Sequence, residues 1–213
     1  MAYFPFFVDI EGKKCLIAGG GPVAYRKALI LKDYGPDITV VAPQMTHELE
    51  RLSKEKEGRV LLEHRDFKES DLENMDFVVA GTSDEALNRR ISLLCRERKI
   101  PVNVVDVQEE CSFIFPALIK DEDITVGIST GGSAPTLAKY LKGIFKQAIP
   151  PGFGGLAKQL GSYRDMVKEE SDSQPVRMEI FKTMAEEGIR QGGTFTREQA
   201  KKLIERKLAE HEK

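Results

Sequence analysis

The chain has 213 residues, 41% hydrophobic and 31% charged, with a formal net charge of −2. That length allows one full core plus a smaller unit, and the near-neutral charge gives no global field for nucleic acid or a membrane surface, so any anionic ligand must be held by local groups. The cysteines Cys15, Cys95 and Cys111 lack metal-type spacing, no basic leader precedes Phe4-Pro5-Phe6-Phe7, and no apolar run reaches membrane-spanning length, so a reducing cytoplasm is the expected compartment.

In chain order, the first informative stretch runs from Cys15 to Ala24. It reads as an apolar strand, a glycine turn and a helix continuing through Tyr25 to Leu31. Gly19, Gly21 and Ala24 take the three small-residue positions of a G-x-G-x-x-G/A fingerprint. The first permits the turn, the second lets backbone approach a pyrophosphate, and the third lets helix pack on strand. The helix start, at Pro22 and Val23, offers unpaired N–H groups and a positive dipole end. Arg26 and Lys27 on this helix read as solvated surface charge. A second strand, Ile38 to Ala42, closes a βαβ unit. No acidic residue follows it to hold the ribose; Pro43 and Gln44 stand there instead, which leaves preference for NAD over NADP open.

Val60 to His64 reads as a third strand. Phe77 to Gly81 is a fourth, a continuous apolar run suited to burial on both faces of a parallel sheet. Thr82-Ser83-Asp84 offers caps for a helix through about Arg98; within it Asn88 could brace a neighbouring loop and Arg89 could reach a carboxylate. Val102 to Asp106 is a fifth strand ending in a carboxylate. Ligands of open α/β sheets lie beyond the carboxyl ends of the strands. Gly19 to Val23, Gly81 to Asp84 and Asn103 to Asp106 are therefore predicted to face one crevice.

Beyond residue 112 the pattern changes. Phe113 to Ile119 and Ile124 to Ser129 read as an antiparallel hairpin around Lys120-Asp121-Glu122-Asp123. A second glycine turn, Thr130 to Pro135, leads into a helix from about Thr136 to Gln147, with Ser133 as its N-cap. Gly131 and Gly132 could offer backbone N–H groups to a carboxylate. Lys139, Lys142 and Lys146 share one helix face. Ile149 to Gly155 reads as a linker. The remainder is helical and charged: one helix around Val176 to Ile189, then Gly192-Gly193, then a last helix opened by the capping box Thr196-Arg197-Glu198-Gln199.

The runs Phe4–Phe7, Leu16–Lys27, Val40–Pro43, Ala80–Asp84, Asn103–Asp106, Ser112–Ala117 and Ser129–Pro135, in this order and spacing, resemble the precorrin-2 dehydrogenase/sirohydrochlorin ferrochelatase family, which also forms the front part of siroheme synthases. The resemblance covers residues 1 to about 150. The strand–helix alternation and this resemblance agree on an α/β fold: a Rossmann-type domain over 1–112 and a small α+β dimerisation and substrate-cleft unit over 113–149, followed by a region over 150–213 that its own pattern reads as helical. The resemblance implies NAD-dependent oxidation of the tetrapyrrole precorrin-2 to sirohydrochlorin, with ferrous iron as a further substrate in some members, and a homodimer.

Asp106 occupies the position of the family's key carboxylate, as catalytic base or transient metal ligand; solvent is the alternative base, and a loop-capping role the alternative for Asp106. Cofactor contacts are assigned to Gly19, Gly21, Pro22, Val23, Pro43, Gln44, Gly81, Thr82 and Asn103. Substrate contacts are assigned to Thr130, where relatives commonly carry Ser, and to Gly131 and Lys139. No resident metal site is expected. A different class of function, a nucleotide-sensing module that switches a partner through residues 151–213, would leave the second glycine turn without a use.

Overall fold

The computed structural model describes residues 3–55 and 59–211. The chain forms two compact units, Met1–Phe115 and Pro116–Lys213.

The first unit alternates strand and helix: β1 (Lys14–Ala18), α1 (Pro22–Lys32), β2 (Asp37–Val41), α2 (His47–Leu52), β3 (Val60–Glu63), β4 (Phe77–Ala80), α3 (Glu85–Glu97) and β5 (Val102–Val104), with short 3-10 turns at Glu69–Leu72 and Gln108–Glu110. All strand pairs are parallel, in the order β3-β2-β1-β4-β5. The order reverses direction between β1 and β4, which is where such sheets bind ligands.

The strands read as unbroken apolar runs because both faces are covered. Cys15, Ile17, Ile38, Val40, Phe77 and Val79 point to one face, packed under Ala24, Ala28 and Leu31 of α1 and Leu49 and Leu52 of α2. Leu16, Ala18, Val41, Val78, Ala80, Val102 and Val104 point to the other, against Ile91 and Cys95 of α3 and Leu72. The period-2 alternation of a strand thus sorts one sequence run into two cores. Burial pushes the thiols of Cys15 and Cys95 up, Cys95 to about 11, and both are packing residues.

The predicted fifth strand is cut short. β5 ends at Val104, and Asp106 sits beyond it on left-handed backbone, φ 62°. The stretch after it is not yet the hairpin: Phe113 and Phe115 pack on the first unit's core.

The second unit opens with the antiparallel pair β6 (Ala117–Asp121) and β7 (Ile124–Ile128). Asp121 pairs with Ile124, so the loop is the two residues Glu122-Asp123 rather than four, with Glu122 at φ 47°. α4 (Pro135–Ala148) covers the pair through Ala138 and Leu141. Its N-cap is Ala134, not Ser133, because Pro135 sets the first helical position and the Thr130 hydroxyl takes the Ala134 N–H at 3.2 Å.

The predicted linker is also shorter. α5 (Phe153–Ser162) starts inside it. Gly154 lies against the Asp121 backbone, where a Cβ would collide with the carbonyl, and its N–H donates to Asp121 Oδ2 at 3.1 Å. A composition rich in glycine here serves close approach, not flexibility. α6 (Arg164–Glu170), α7 (Gln174–Arg190) and α8 (Arg197–His211) complete a core of Leu156, Tyr163, Val167, Ile180, Met184, Phe195, Ala200 and Ile204. The capping box before α8 forms as expected: Thr196 N–H reaches Gln199 Oε1 at 2.7 Å, and Gln199 N–H reaches Thr196 Oγ1 at 3.2 Å.

Candidate functional site

The three glycines after β1 do different jobs. Gly19 has φ 121°, and a Cβ there would run into the Gly81 carbonyl of the turn after β4. Gly20 is pinned from the other side: a Cβ would strike the Gln44 carbonyl, and Gly20 O accepts the Thr46 N–H at 3.0 Å. Gly21 is the N-cap of α1 with φ −82°, and a Cβ on it would meet nothing within 4 Å. Two glycines are thus demanded by the fold, while the third borders open space. Pro22 follows at the first helical position, where no N–H is needed. The first helical hydrogen bond to the turn is Tyr25 N–H to Gly21 O at 3.1 Å. The amides of Gly21, Val23 and Ala24 lie ahead of it at the helix start, oriented as anion donors. The residues present fit a dinucleotide pyrophosphate.

Around this loop stand the other assigned contacts. Pro43 and Gln44 follow β2 and are exposed. Beside them Glu63, at the end of β3, has its carboxylate 3.5 Å from Arg65 Nε. Thr82 is held by Asn88, which is buried: Asn88 Oδ1 accepts the Thr82 N–H at 3.0 Å, and Nδ2 donates to Thr82 O at 3.0 Å. Asp84 caps α3 through the Leu87 N–H at 3.1 Å. Asn88 therefore fixes the 82–84 turn, as its position suggested. Arg89 lies 3.3 Å from Glu110. Asn103 is buried and its amide donates to Phe113 O at 3.0 Å, so it ties the segment after β5 back to the strand. Cys111 does the same, with its sulfur 3.1 Å from the Val104 N–H.

Asp106 stands out from that braced segment. It is exposed, and among the described residues its carboxylate has no hydrogen-bond or ion-pair partner. It caps nothing.

Lys27 is the residue that its sequence setting misplaced. It is half-buried, with Nζ 3.7 Å from the centre of the Phe115 ring. Burial lowers its ammonium to about 8, against smaller favourable effects of Cys111 and Asp106. The available signal was its place beside Ala24 and Ala28 at the edge of the buried stripe of α1.

The second-unit residues form their own turn. Thr130 Oγ1 is taken by Ala134, the Gly131 N–H donates to Ser129 Oγ at 3.0 Å, and Gly131 and Gly132 have φ 63° and 86°. Lys139 and Lys146 are exposed and Lys142 is half-exposed on α4.

Residues 6–117 match the model of a family described as "Putative NAD(P)-binding". A siroheme synthase of Thioalkalivibrio sulfidiphilus is 40% identical over 188 residues, 87% of this chain and 38% of that protein. One from a Psychrobacter species is 42% identical over 170 residues, 80% of this chain and 34% of that protein. This chain thus spans little more than a third of these curated relatives. The solved structure of SirC, a precorrin-2 dehydrogenase, superposes with a TM-score of 0.70 at 22% identity, covering 96% of this chain and 98% of that one; the likeness is one of fold.

Proposed function

This chain belongs to the NAD(P)-binding family matched over residues 6–117, and from that premise we propose that it oxidises precorrin-2 to sirohydrochlorin with NAD as acceptor. The observation that carries the reading is Asp106: an exposed carboxylate with no hydrogen-bond or ion-pair partner among the described residues, on left-handed backbone just beyond β5, at the same sheet end as the Gly19–Gly21 loop. A loop-capping carboxylate would be engaged. The siroheme synthases that share about 40% identity with most of this chain supply the substrate class.

The oxidation removes one hydride and one proton from the macrocycle. NAD, when bound, supplies the hydride acceptor. The backbone amides of Gly21, Val23 and Ala24 would hold its pyrophosphate and Pro43 and Gln44 would border its ribose; the Gly81–Thr82 turn, stiffened by Asn88, borders the loop through Gly19. Asp106 accepts the proton, a role that needs a free carboxylate within reach of the ring. The same carboxylate suits ferrous iron insertion into sirohydrochlorin, where pyrrole protons must leave as the metal enters. Thr130 and Lys139 are assigned to substrate carboxylates; Gly131, whose N–H is given to Ser129 Oγ, serves as a left-handed residue of the Thr130 turn.

We also assign a homodimer, built on α4. Leu137, Tyr140 and Ile144 recur at helical spacing and are 50%, 67% and 46% exposed, beside the stripe that packs on the hairpin. A cytoplasmic setting agrees with three free cysteines, and among the described residues no helix is long and apolar enough to cross a membrane.

The test is to supply precorrin-2 and NAD without metal and follow sirohydrochlorin absorbance. Product above the buffer control supports the reading; none contradicts it. Ferrous iron added to sirohydrochlorin tests the chelatase arm separately.

A further inference from the structure

Lys27 is a cation held where a cation is expensive. Its stem is half-buried on α1, and its ammonium rests on the face of Phe115 at 3.7 Å. Among the described residues no carboxylate forms an ion pair with it. An ammonium taken partly out of water without a partner costs stability. A cation–π contact returns only about 0.5–2 kcal/mol of that cost. Nothing in packing requires the charge, since a methionine would fill the same stem volume.

The direction of the side chain is also informative. Helical side chains lean toward the helix N-terminus. Lys27 therefore reaches back toward the glycine-turn end of α1, which is the carboxyl end of the sheet. Its charge neighbours agree: Asp106 and Cys111 lie on the segment after β5, and Arg26 lies beside it on α1. The ammonium thus shares the sheet end with the free Asp106 carboxylate. Phe115 fixes its position, because the ring is itself packed tilted against Phe113, 5.5 Å between ring centres, at the edge of the core.

We propose that Lys27 is an anion receptor for the substrate, taking one peripheral carboxylate of the tetrapyrrole so that the ring is set over Asp106. This assignment rests on the tetrapyrrole reading of the site. The chemistry matches: a macrocycle carrying eight carboxylates needs fixed cations, and a partly desolvated ammonium binds a carboxylate more strongly than a solvated one. Binding the anion also gives the ammonium the ion pair that the weaker effects of Cys111 and Asp106 do not supply. Lys27 then discriminates between tetrapyrroles by the placement of their acid side chains, and it leaves the nucleotide alone.

The experiment measures equilibrium binding of sirohydrochlorin by absorbance titration and of NAD by calorimetry. The proteins are the full chain and its Lys27→Met, Lys27→Arg and Phe115→Leu variants. Lys27→Met is expected to weaken sirohydrochlorin about 10- to 100-fold, the loss of one charge-assisted contact. Its NAD affinity should stay unchanged, and its thermal midpoint at neutral pH should be equal or higher. Lys27→Arg should recover most of the affinity, and Phe115→Leu should weaken it by less than Lys27→Met. Unaltered sirohydrochlorin binding by Lys27→Met overturns the proposal, and so does an equal loss of NAD. If the parent chain binds sirohydrochlorin but does not oxidise precorrin-2, the reading of the activity fails and the same titrations still decide Lys27. If the parent chain binds no sirohydrochlorin, both fall.

Discussion

At the residue scale, the three adjacent glycines separate folding from binding. Gly19 combines φ 121° with direct apposition to Gly81. Gly19→Ala is expected to cost roughly 2–4 kcal/mol from strain and overpacking, read as a fall in unfolding free energy. Gly21 has ordinary backbone and open space. Gly21→Asp should fold normally and lose NAD affinity on the order of 100-fold or more, because like charges about 4 Å apart repel by roughly 4 kcal/mol at a surface dielectric. Calorimetry and a melting curve check both halves; retained NAD affinity would contradict the assignment.

The fingerprint was legible in the sequence because glycine turns of this kind have fixed spacing. The unequal roles of Gly20 and Gly21 were not. They depend on Gln44, whose carbonyl arrives from the next strand connection. Lys27 was misread for a related reason: a charged residue at the edge of a buried stripe looks solvated until Phe115, far along the chain, is folded over it.

Lys27 also gives the molecule a pH signature. Its folded value is about 8 against an ordinary 10.5, lowered chiefly by burial and further by Arg26, with Cys111 and Asp106 acting the other way. Between those values the unfolded chain holds a proton that the native state has released. Stability therefore rises as pH climbs through that window, and the burial cost is fully present below it. Lys27→Met should flatten the rise in denaturant unfolding measured from pH 8 upward; an undiminished rise would show that another group causes it. Asp106→Asn keeps size and removes the proton acceptor, so turnover should fall on the order of 100-fold or more, with NAD affinity retained.

At the element scale, strands were easier to read than their ends. β1 and β4 are apolar on both faces, and that continuous pattern survives any tertiary context. β5 is shorter than its apolar run because the chain turns at Val105 into the Asp106 bend; Val105 N–H still reaches Ala80 O at 2.9 Å while its side chain packs on the core. The hairpin starts later than predicted because Phe113 and Phe115 are captured by the first unit's core. α4 carries two apolar stripes, one on the hairpin and one exposed. Replacing Leu137 and Ile144 together by Glu is expected to convert a dimer to monomers by light scattering while leaving helix content unchanged. A parent chain that is already monomeric would contradict the dimer assignment.

At the scale of the whole molecule, the alternation of strand and helix signals up to β5 gave the parallel sheet. The order β3-β2-β1-β4-β5 then places the Gly19–Gly21 loop and the turn after β4 side by side at the point where the winding reverses. The helical core from α5 to α8 was legible as helices but not as a packed cluster, since its contacts join residues as distant as Leu156 and Ile204. The siroheme synthases to which the chain is similar are more than twice as long, and the proposed oxidation is assigned to the portion they share with it.

In the proposed function the nucleotide loop and Asp106 serve one oxidation. The most direct measurement is the yield of NADH against sirohydrochlorin when the full chain is given precorrin-2 and NAD in the absence of metal. The two products should appear together, one for one, and both should vanish in Gly21→Asp. Sirohydrochlorin formed without NADH, or at the same rate in Gly21→Asp, would contradict that reading.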